Sequence, residues 1–217
     1  MAKEAAPTAA PFVPAGASLP QLREASRTCE GCDLFRYASQ TVFGAGPADA
    51  RVIMVGEQPG DHEDVQGKPF VGPAGKLLDR ALVQAGVDRE QIYVTNAVKH
   101  FKFVERGKRR IHGKPNIVEI SACKPWLEAE VSVIRPELIV CLGSTAAQAL
   151  MGSAFRITKE RGRVFPHAWA KGLLATIHPS ALLRLPDHEA RELEFAHLVK
   201  DLRMIPEIVA SVRLAAT

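Results

Sequence analysis

Long apolar runs are absent from this sequence, and no stretch approaches the roughly eighteen consecutive apolar residues of a membrane-spanning helix. Residues 1–18 are rich in Ala and Pro and lack the apolar core of a signal peptide, so we expect a disordered tail there. Cysteine is scarce, with four in 217 residues. Without an export signal we expect free thiols in a cytoplasmic protein with no membrane partner. These features argue against a membrane span and against a disulfide scaffold.

The rest of the chain has the composition of an ordinary globular protein, with 47% hydrophobic and 24% charged residues. At this length we expect one domain, formed by residues 19–217. Nothing in the sequence indicates an oligomer, so we expect a monomer. The 28 basic and 24 acidic residues leave a net charge of +4, which is compatible with nucleic-acid binding without requiring it.

Four short runs rich in Val, Ile and Leu, without polar alternation, predict buried strands of a parallel sheet that is covered on both faces. They span residues 51–56, 91–98, 137–143 and 172–177. Helical patterns lie between or after them, at residues 75–85, 117–134, 145–151 and 189–204, with a shorter one at 19–27. This alternation predicts an α/β fold, a three-layer α/β/α sandwich around a mainly parallel, four-stranded sheet.

Polar residues follow three of these strands, at the positions where α/β folds of this kind bind ligands. The loop 56–61 follows the first strand, Asn96 ends the second, and His178 follows the fourth. Taken alone, Asn96 could cap a strand and His178 could be a satisfied core histidine. The carboxylates of Glu57 and Asp61 could equally be solvated in a plain turn. Because the carboxyl ends of parallel strands share one edge of the sheet, we expect these residues to converge on one site.

The densest charge lies in residues 99–114, which hold seven Lys or Arg and one acid and therefore carry about +6. Such a patch is typical of a surface that binds an anionic polymer, although a solvated charged loop has the same composition. His112 ends its most basic run, KRRIH, and is the one side chain there that can be neutral and nucleophilic at neutral pH. We expect a loop that binds phosphate and carries His112 to a reacting carbon.

Cys29 and Cys32 form a C-x-x-C pair, a spacing that suits zinc, an iron–sulfur cluster or a redox dithiol. A redox motif belongs at the start of a helix in a βαβ unit, whereas this pair precedes the first predicted strand. Cys141 lies inside an apolar strand and is expected to be a buried, inert thiol. The residues alone therefore favour a metal or cluster site over a redox dithiol, without choosing between zinc and iron.

Five segments together resemble the uracil-DNA glycosylase superfamily, and most closely its iron–sulfur branch, family 4. They are, in chain order, GEQPGDHED, GKPFVGPAGKLLD, YVTNAVK, ELIVCLGSTAAQAL and IHPSALLR. The first and last are similar to the two active-site motifs of the family, and the resemblance covers nearly the whole chain after the tail. It implies an enzyme that flips uracil out of DNA and cleaves its glycosidic bond.

The resemblance implies a uracil pocket formed by Gly56, Phe70, Asn96 and His178. Phe70, which alone would be a default core residue, would stack on the extruded uracil. Asn96 would read the Watson–Crick edge of the base. His178 would donate a hydrogen bond to a uracil carbonyl and stabilise the departing anion.

The last of the five segments would enter the duplex or support the extruded nucleotide. Its wedge would be Leu182 or Leu183, and Ser180 and Arg184 would contact DNA beside it. The implied partner is uracil-containing DNA, single-stranded, with double-stranded DNA left open.

Three departures from family 4 point to the narrower group of uracil-DNA glycosylase X. Gln58 stands where family 4 has a small residue, His100 stands where it has a cysteine, and the basic run ending in His112 is an insertion. That group captures its DNA covalently through the histidine of this insertion. The resemblance therefore implies that His112 attacks C1′ of the deoxyribose, so that each molecule acts once.

The same resemblance implies supporting roles around this nucleophile. Glu57 would fix the tautomer of the imidazole, and Gln58 would hold the loop or displace the water. Asp61 completes the expected catalytic set, because a carboxylate near the sugar can stabilise a cationic C1′. DNA contacts are expected from three residues of the basic run, Lys108, Arg109 and Arg110. Arg110 could also brace the loop against a DNA phosphate or a nearby carboxylate.

Family 4 members hold a 4Fe–4S cluster with four cysteines, and Cys29, Cys32 and Cys123 match three of those positions. We infer His100 as the fourth ligand, with Cys141 or an exogenous ligand as alternatives. Zinc would be satisfied by the same three Cys and one His. Two other functions stay open: an ordinary multiple-turnover uracil-DNA glycosylase, and a non-enzymatic Cys/His metal module that binds nucleic acid.

Overall fold

The computed structural model describes residues 6–214, and seven strands lie within them. Five form one sheet in the order β2-β1-β5-β7-β6, and two form a separate hairpin, β3-β4. The strands are β1 (Val52–Gly56), β2 (Ile92–Asn96), β3 (Phe103–Arg106), β4 (Arg109–His112), β5 (Leu138–Leu142), β6 (Val164–His167) and β7 (Ala170–Thr176).

The predicted α/β class and mainly parallel sheet are confirmed. Strands β2, β1, β5 and β7 pair in parallel, in the regions where the sequence predicts strands. The sheet has five strands rather than four, because β6 pairs antiparallel with β7 at one edge. Pro166 lies inside β6, and proline in an apparent strand is tolerated at an edge, where its missing N–H removes no ladder bond.

Helices cover both faces of the sheet, which is the predicted three-layer arrangement. Those of the described residues are α1 (Leu19–Ser26), α2 (Asp61–Gln66), α3 (Pro73–Ala85), α4 (Ile117–Ile134), α5 (Ser144–Met151), α6 (Ile157–Glu160), α7 (Pro179–Leu183), α8 (His188–Leu202) and α9 (Met204–Leu214). Apolar side chains of α1, α4 and α5 pack on one face, and those of α3, α7 and α8 pack on the other. In the described part of the chain, no helix is both long and apolar enough to cross a membrane.

The central strands contribute side chains to both cores because successive residues point to opposite faces. Ile53 and Val55 of β1 belong to the α4 side, whereas Val52 and Met54 belong to the α3 side. All four are buried. Full burial of an aliphatic side chain of this size stabilises the fold by about 1.5–3 kcal/mol before entropy is counted. Burial on both faces explains why these strands are continuously apolar.

The chain before α1 differs from the disordered tail expected for residues 1–18. Ala9 is 1% exposed, and its N–H donates to the carbonyl of Ala122 in α4 at 2.7 Å. A Cβ on Gly31 would lie 2.6 Å from the Cα of Ala9, so the two backbones are in close contact. From about Ala9 onward this segment packs against the domain, and residues 1–5 lie outside the described part of the chain.

The basic segment is a β-hairpin and not the loop that its composition indicates. Phe103 pairs with His112 and Arg106 pairs with Arg109 in an antiparallel ladder. Gly107, at φ 60°, forms the turn between them, in a conformation that glycine adopts without strain. The hairpin places His112 at the end of β4, close to the body of the domain.

Candidate active site

A cavity of about 210 Å³ opens at the carboxyl ends of the parallel strands. Its walls come from the loop after β1, the end of β2, the hairpin and the segment after β7. A second cavity of about 440 Å³ shares Gln58, His112, His178 and Ser180 with the first. The convergence expected from the sequence is therefore present in the fold, and the two cavities form one cleft.

Asn96 lines the smaller cavity from the end of β2. Its side chain is 3% exposed, and its carboxamide forms no hydrogen bond to any residue from 6 to 214. A Cβ on Gly56 would lie 2.3 Å from Oδ1 of Asn96, so only glycine leaves room for this side chain. A buried amide that faces a cavity with its donors and acceptor free is suited to read a hydrogen-bonding edge.

Phe70 lies opposite His178, with ring centroids 6.3 Å apart and planes inclined by 27°. Its backbone has φ 57°, a left-handed conformation that is uncommon for an aromatic residue and clusters at functional sites. Gly75 of α3 allows this placement, because a Cβ there would lie 1.8 Å from the carbonyl oxygen of Phe70. The left-handed backbone of Phe70 thus places its ring at the wall of the cavity.

Glu63 is a residue that the sequence analysis does not single out. Its carboxylate accepts the N–H of Gly60 at 3.1 Å and that of Gly72 at 2.8 Å. It thereby fastens the loop after β1 to the segment that carries Phe70. The contact with Gly60 has a capping-box spacing, but the one with Gly72 depends on the tertiary fold, which no local pattern reveals.

His178 is half-buried, and its Nδ1 accepts the backbone N–H of Ser180 at 3.1 Å. A neutral imidazole whose Nδ1 is an acceptor carries its proton on Nε2. Burial, with the nearby charges of Arg184 and His112, lowers the pKa of His178 to about 4. At neutral pH the ring is therefore uncharged, with one N–H available to donate into the cleft.

Glu57 lies between the hairpin and α5. Its Oε1 is 3.4 Å from Nε2 of His112, and its other carboxylate oxygen accepts a hydrogen bond from the Thr145 hydroxyl. His112 is about half exposed, with a side-chain exposure of 48%. The expected pairing of Glu57 with His112 is therefore present, and Thr145, which the sequence analysis misses, orients the carboxylate.

Gln58 fixes the base of the hairpin. Its side-chain amide donates to the carbonyl oxygens of Lys102 and Gly113 at 3.1 and 3.0 Å, and its Oε1 accepts the N–H of Lys102 at 3.1 Å. These residues flank the two strands of the hairpin on either side. Of the two roles expected for Gln58, the geometry supports holding the segment that carries His112.

Arg110 points inward, so of its two expected partners, a DNA phosphate or a nearby carboxylate, the structure shows the carboxylate. Its Nε lies 2.6 Å from Asp61 and its Nη1 lies 2.6 Å from Asp64, whose side chain is fully buried. The guanidinium also lies over the rings of Phe101 and Phe103. Arg110 therefore braces the hairpin against α2, and Asp61 is its partner instead of a free catalytic carboxylate.

The other residues expected to contact DNA differ in their solvent exposure. Lys108, Arg109 and Arg184 are exposed. Leu182 is fully buried, which excludes it as a wedge, whereas Leu183 is 45% exposed and lines the cleft. Leu182 is the residue of α7 that packs into the core on the α3 side of the sheet. The sequence motif does not show which of the two leucines faces the core.

Cys29, Cys32 and Cys123 are buried within one core cluster. The indole N–H of Trp126 donates to the sulfur of Cys29, and the backbone N–H of Lys99 donates to that of Cys123, both at 3.2 Å. Burial raises the pKa of Cys32, and that of Cys123 to about 12, and the neighbouring cysteines add to both shifts. The three thiols therefore share one buried cluster, and two of their sulfurs accept N–H donors, as cluster ligands do.

The other candidate ligands differ in position. Cys141 is buried inside β5, in the same core cluster as the other three cysteines, and burial raises the pKa of its thiol. His100 directly follows Lys99 and is buried, which lowers the pKa of its ring to about 4. Among residues 6–214, no three His, Cys, Asp or Glu side chains are arranged as a formed metal site. The fit to a cluster therefore rests on donor type and burial.

The segment from residue 43 to residue 203, well over half of the chain, matches the family model of the uracil DNA glycosylase superfamily. It contains all of the strands and cleft residues described above. The chain therefore belongs to the uracil-DNA glycosylase superfamily.

Individual relatives define the branch. A type-4 uracil-DNA glycosylase of Thermotoga maritima is 36% identical over 178 residues, which cover 82% of this chain and 89% of the relative. One from Sulfurisphaera tokodaii is 33% identical over 198 residues, covering 88% and 87%. A type-5 enzyme of Thermus thermophilus is 30% identical over 165 residues, covering 66% and 71%. Of these relatives, the two type-4 enzymes are more similar to this chain than the type-5 enzyme, in identity and in coverage.

Proposed function

We propose that this protein excises uracil from DNA and is then captured as a stable adduct between His112 and C1′ of the deoxyribose. Capture of this kind is the behaviour of the uracil-DNA glycosylase X group. One observation carries the proposal: His112 projects into the uracil cleft from an anchored hairpin and lies beside Glu57. Relatives of type 4 support the excision, and the hairpin supports the capture.

Recognition begins when the uracil nucleotide leaves the base stack and its base enters the smaller cavity. Phe70 stacks on the base, and the free carboxamide of Asn96 pairs with its Watson–Crick edge. The exposed cations Lys108, Arg109 and Arg184 hold the phosphates on either side. Leu183 takes the wedge position beside the extruded nucleotide.

Cleavage breaks the bond between C1′ and N1 of uracil, and the bonding electron pair leaves with the base. Negative charge spreads onto the uracil carbonyl oxygens as C1′ becomes cationic. The Nε2–H of neutral His178 donates to one of these oxygens and stabilises the anion. The uracil anion then takes a proton from solvent.

Capture follows when one ring nitrogen of neutral His112 donates its lone pair to C1′ and forms a C–N bond. The other ring nitrogen gives up its proton, and Glu57, held by Thr145, is the carboxylate positioned to accept it. The product is an N-alkylated imidazole, which is a poor leaving group at neutral pH. The adduct therefore persists, and each protein molecule acts once.

A 4Fe–4S cluster held by Cys29, Cys32, Cys123 and His100 is the cofactor that we propose. It would tie the N-terminal segment to α4 and needs no redox step. The purified protein is expected to show the broad visible absorbance of an iron–sulfur centre, with bound iron by elemental analysis. A colourless protein containing zinc would contradict the cluster and favour a Cys/His zinc site.

The excision itself is tested by measuring free uracil from single-stranded DNA that contains one uracil. The wild-type protein is expected to release about one uracil per protein molecule, whatever the excess of DNA, because capture ends the reaction. The same DNA with thymine in place of uracil is the control and should release no base. Release of many uracils per protein would show ordinary turnover, and no release at all would contradict excision.

A further inference from the structure

Lys99 and Glu130 form an ion pair buried in the core behind the cleft. Nζ of Lys99 lies 2.6 Å from Oε2 of Glu130, and their side chains are 1% and 0% exposed. The Thr95 hydroxyl accepts from Lys99 at 2.5 Å and donates to Glu130 at 2.9 Å. Tyr93 and the N–H of Gly44 donate to the other Glu130 oxygen. Each polar group of this network therefore has partners.

Stability alone does not explain such a pair. Removing two charges from water is costly, and apolar residues of the same volume are often neutral or stabilising replacements for a buried pair. The pair also lies near the carboxyl end of β2, and the cleft is formed at the carboxyl ends of the parallel strands. A role in placing a cleft residue would account for both its cost and its position.

The residue that the pair holds is Asn96. Nζ of Lys99 donates to the backbone carbonyl of Asn96 at 2.9 Å, and Thr95, the residue before Asn96, bridges the two charges. Glu130 belongs to α4, so the end of β2 is fixed to that helix. The Asn96 side chain itself has no hydrogen bond among the described residues, so its position depends on its backbone.

We infer that Lys99 and Glu130 are positioning residues that set the carboxamide of Asn96 for reading the uracil edge. The inference rests on the role proposed above for Asn96. Neither side chain reaches the cleft, so their effect on the reaction passes through Asn96.

The test variant is Lys99→Met with Glu130→Leu, which removes both charges together. Its thermal stability is expected to fall, because Tyr93, Thr95 and the N–H of Gly44 lose their buried acceptor, so the rate is measured at a temperature at which the variant is folded. Its single-turnover rate of uracil release is expected to fall about 100-fold, the loss typical of a reacting group displaced by about an ångström. In an Asn96→Ala background the same double change is expected to cause no further loss, because its effect acts through Asn96.

The matched control is Arg51→Met with Glu137→Leu. This pair joins strands β1 and β5 at their amino ends, with Nη2 to Oε2 at 2.5 Å, far from the cleft along both strands. It should leave the rate of uracil release unchanged. Equal loss in both double variants, or an additive loss in the Asn96→Ala background, would overturn the inference.

A second readout needs no uracil chemistry, which separates failure of this inference from failure of the proposed function. The side-chain amide resonances of Asn96, assigned by their disappearance in Asn96→Asp, are expected to shift in Lys99→Met with Glu130→Leu and to stay in place in the Arg51 control. If that double variant does not fold, Thr95→Val removes the bridging hydroxyl alone and is expected to shift the same resonances. Unchanged Asn96 resonances in the folded variant would overturn the inference.

Discussion

Wild-type protein mixed with uracil-containing single-stranded DNA is expected to give a protein–DNA species that survives heating and denaturant. On a denaturing gel it should migrate as one protein joined to one DNA strand. The C–N bond between His112 and C1′ explains this stability, because a noncovalent complex dissociates when the protein unfolds. DNA with thymine in place of uracil should give no such band.

The variant His112→Gly identifies the nucleophile. It should lose the stable band entirely, and the space left by the imidazole should admit water to C1′. Uracil release is then expected to exceed one per protein molecule, since water leaves no adduct. The residues that bind and cleave, Asn96 and His178, are untouched in this variant.

His62→Gly is the matched control for the nucleophile. His62 is an exposed histidine that lines the same cavity, but it belongs to α2 and not to the hairpin. The band should form as in the wild type when His62 is replaced. A band that persists in His112→Gly and disappears in His62→Gly would assign the capture to His62 of α2 and refute the role of His112.

The parallel sheet is predictable from the sequence for a specific physical reason. Strands such as β1 and β5 are buried on both faces, so each of their positions must be apolar, and a short continuous apolar run records that requirement. The site follows from the same sheet, because Asn96 and the residues after β1 and β7 occupy the ends of parallel strands. The parallel direction of the strands is sufficient to place these residues at the same edge of the sheet.

The hairpin could not be predicted in this way, since β3 and β4 are short, largely exposed and rich in charge. Their pairing depends on Gln58, forty-four residues before Lys102, and on the contact of Arg110 with Asp64. Contacts between polar residues so far apart in sequence leave no periodic pattern. The inward direction of Arg110 is for the same reason a property of the fold, because its charge alone suits a phosphate and a carboxylate equally.

His178→Ala is expected to lower the single-turnover rate of uracil release by about 100- to 1,000-fold, the usual cost of removing one donor to a developing anion. The reason is the fixed tautomer: Nδ1 accepts the Ser180 N–H, so Nε2–H is already directed away from Ser180 before the bond breaks. DNA binding should change little, because the exposed cations that hold the phosphates remain. His167→Ala is the matched control, since this half-buried histidine lies on β6 outside the cleft, and it should keep the wild-type rate.

The pH dependence tests the same donor without mutation of His178. Because burial lowers the pKa of His178 to about 4, its ring stays neutral as the pH falls from 7 towards 5, and the contribution of His178 to the rate should stay constant over that range. As the pH falls through about 4, Nδ1 gains a proton, the hydrogen bond from Ser180 is lost, and the rate should decline. The measurement is best made in His112→Gly, which keeps His178 and its partner Ser180. Because His112 helps to lower the pKa of His178 in the wild type, the midpoint in this variant is expected at or slightly above 4. A decline centred near the ordinary histidine pKa of about 6.5 would mean that His178 is solvated and is not the preorganised donor.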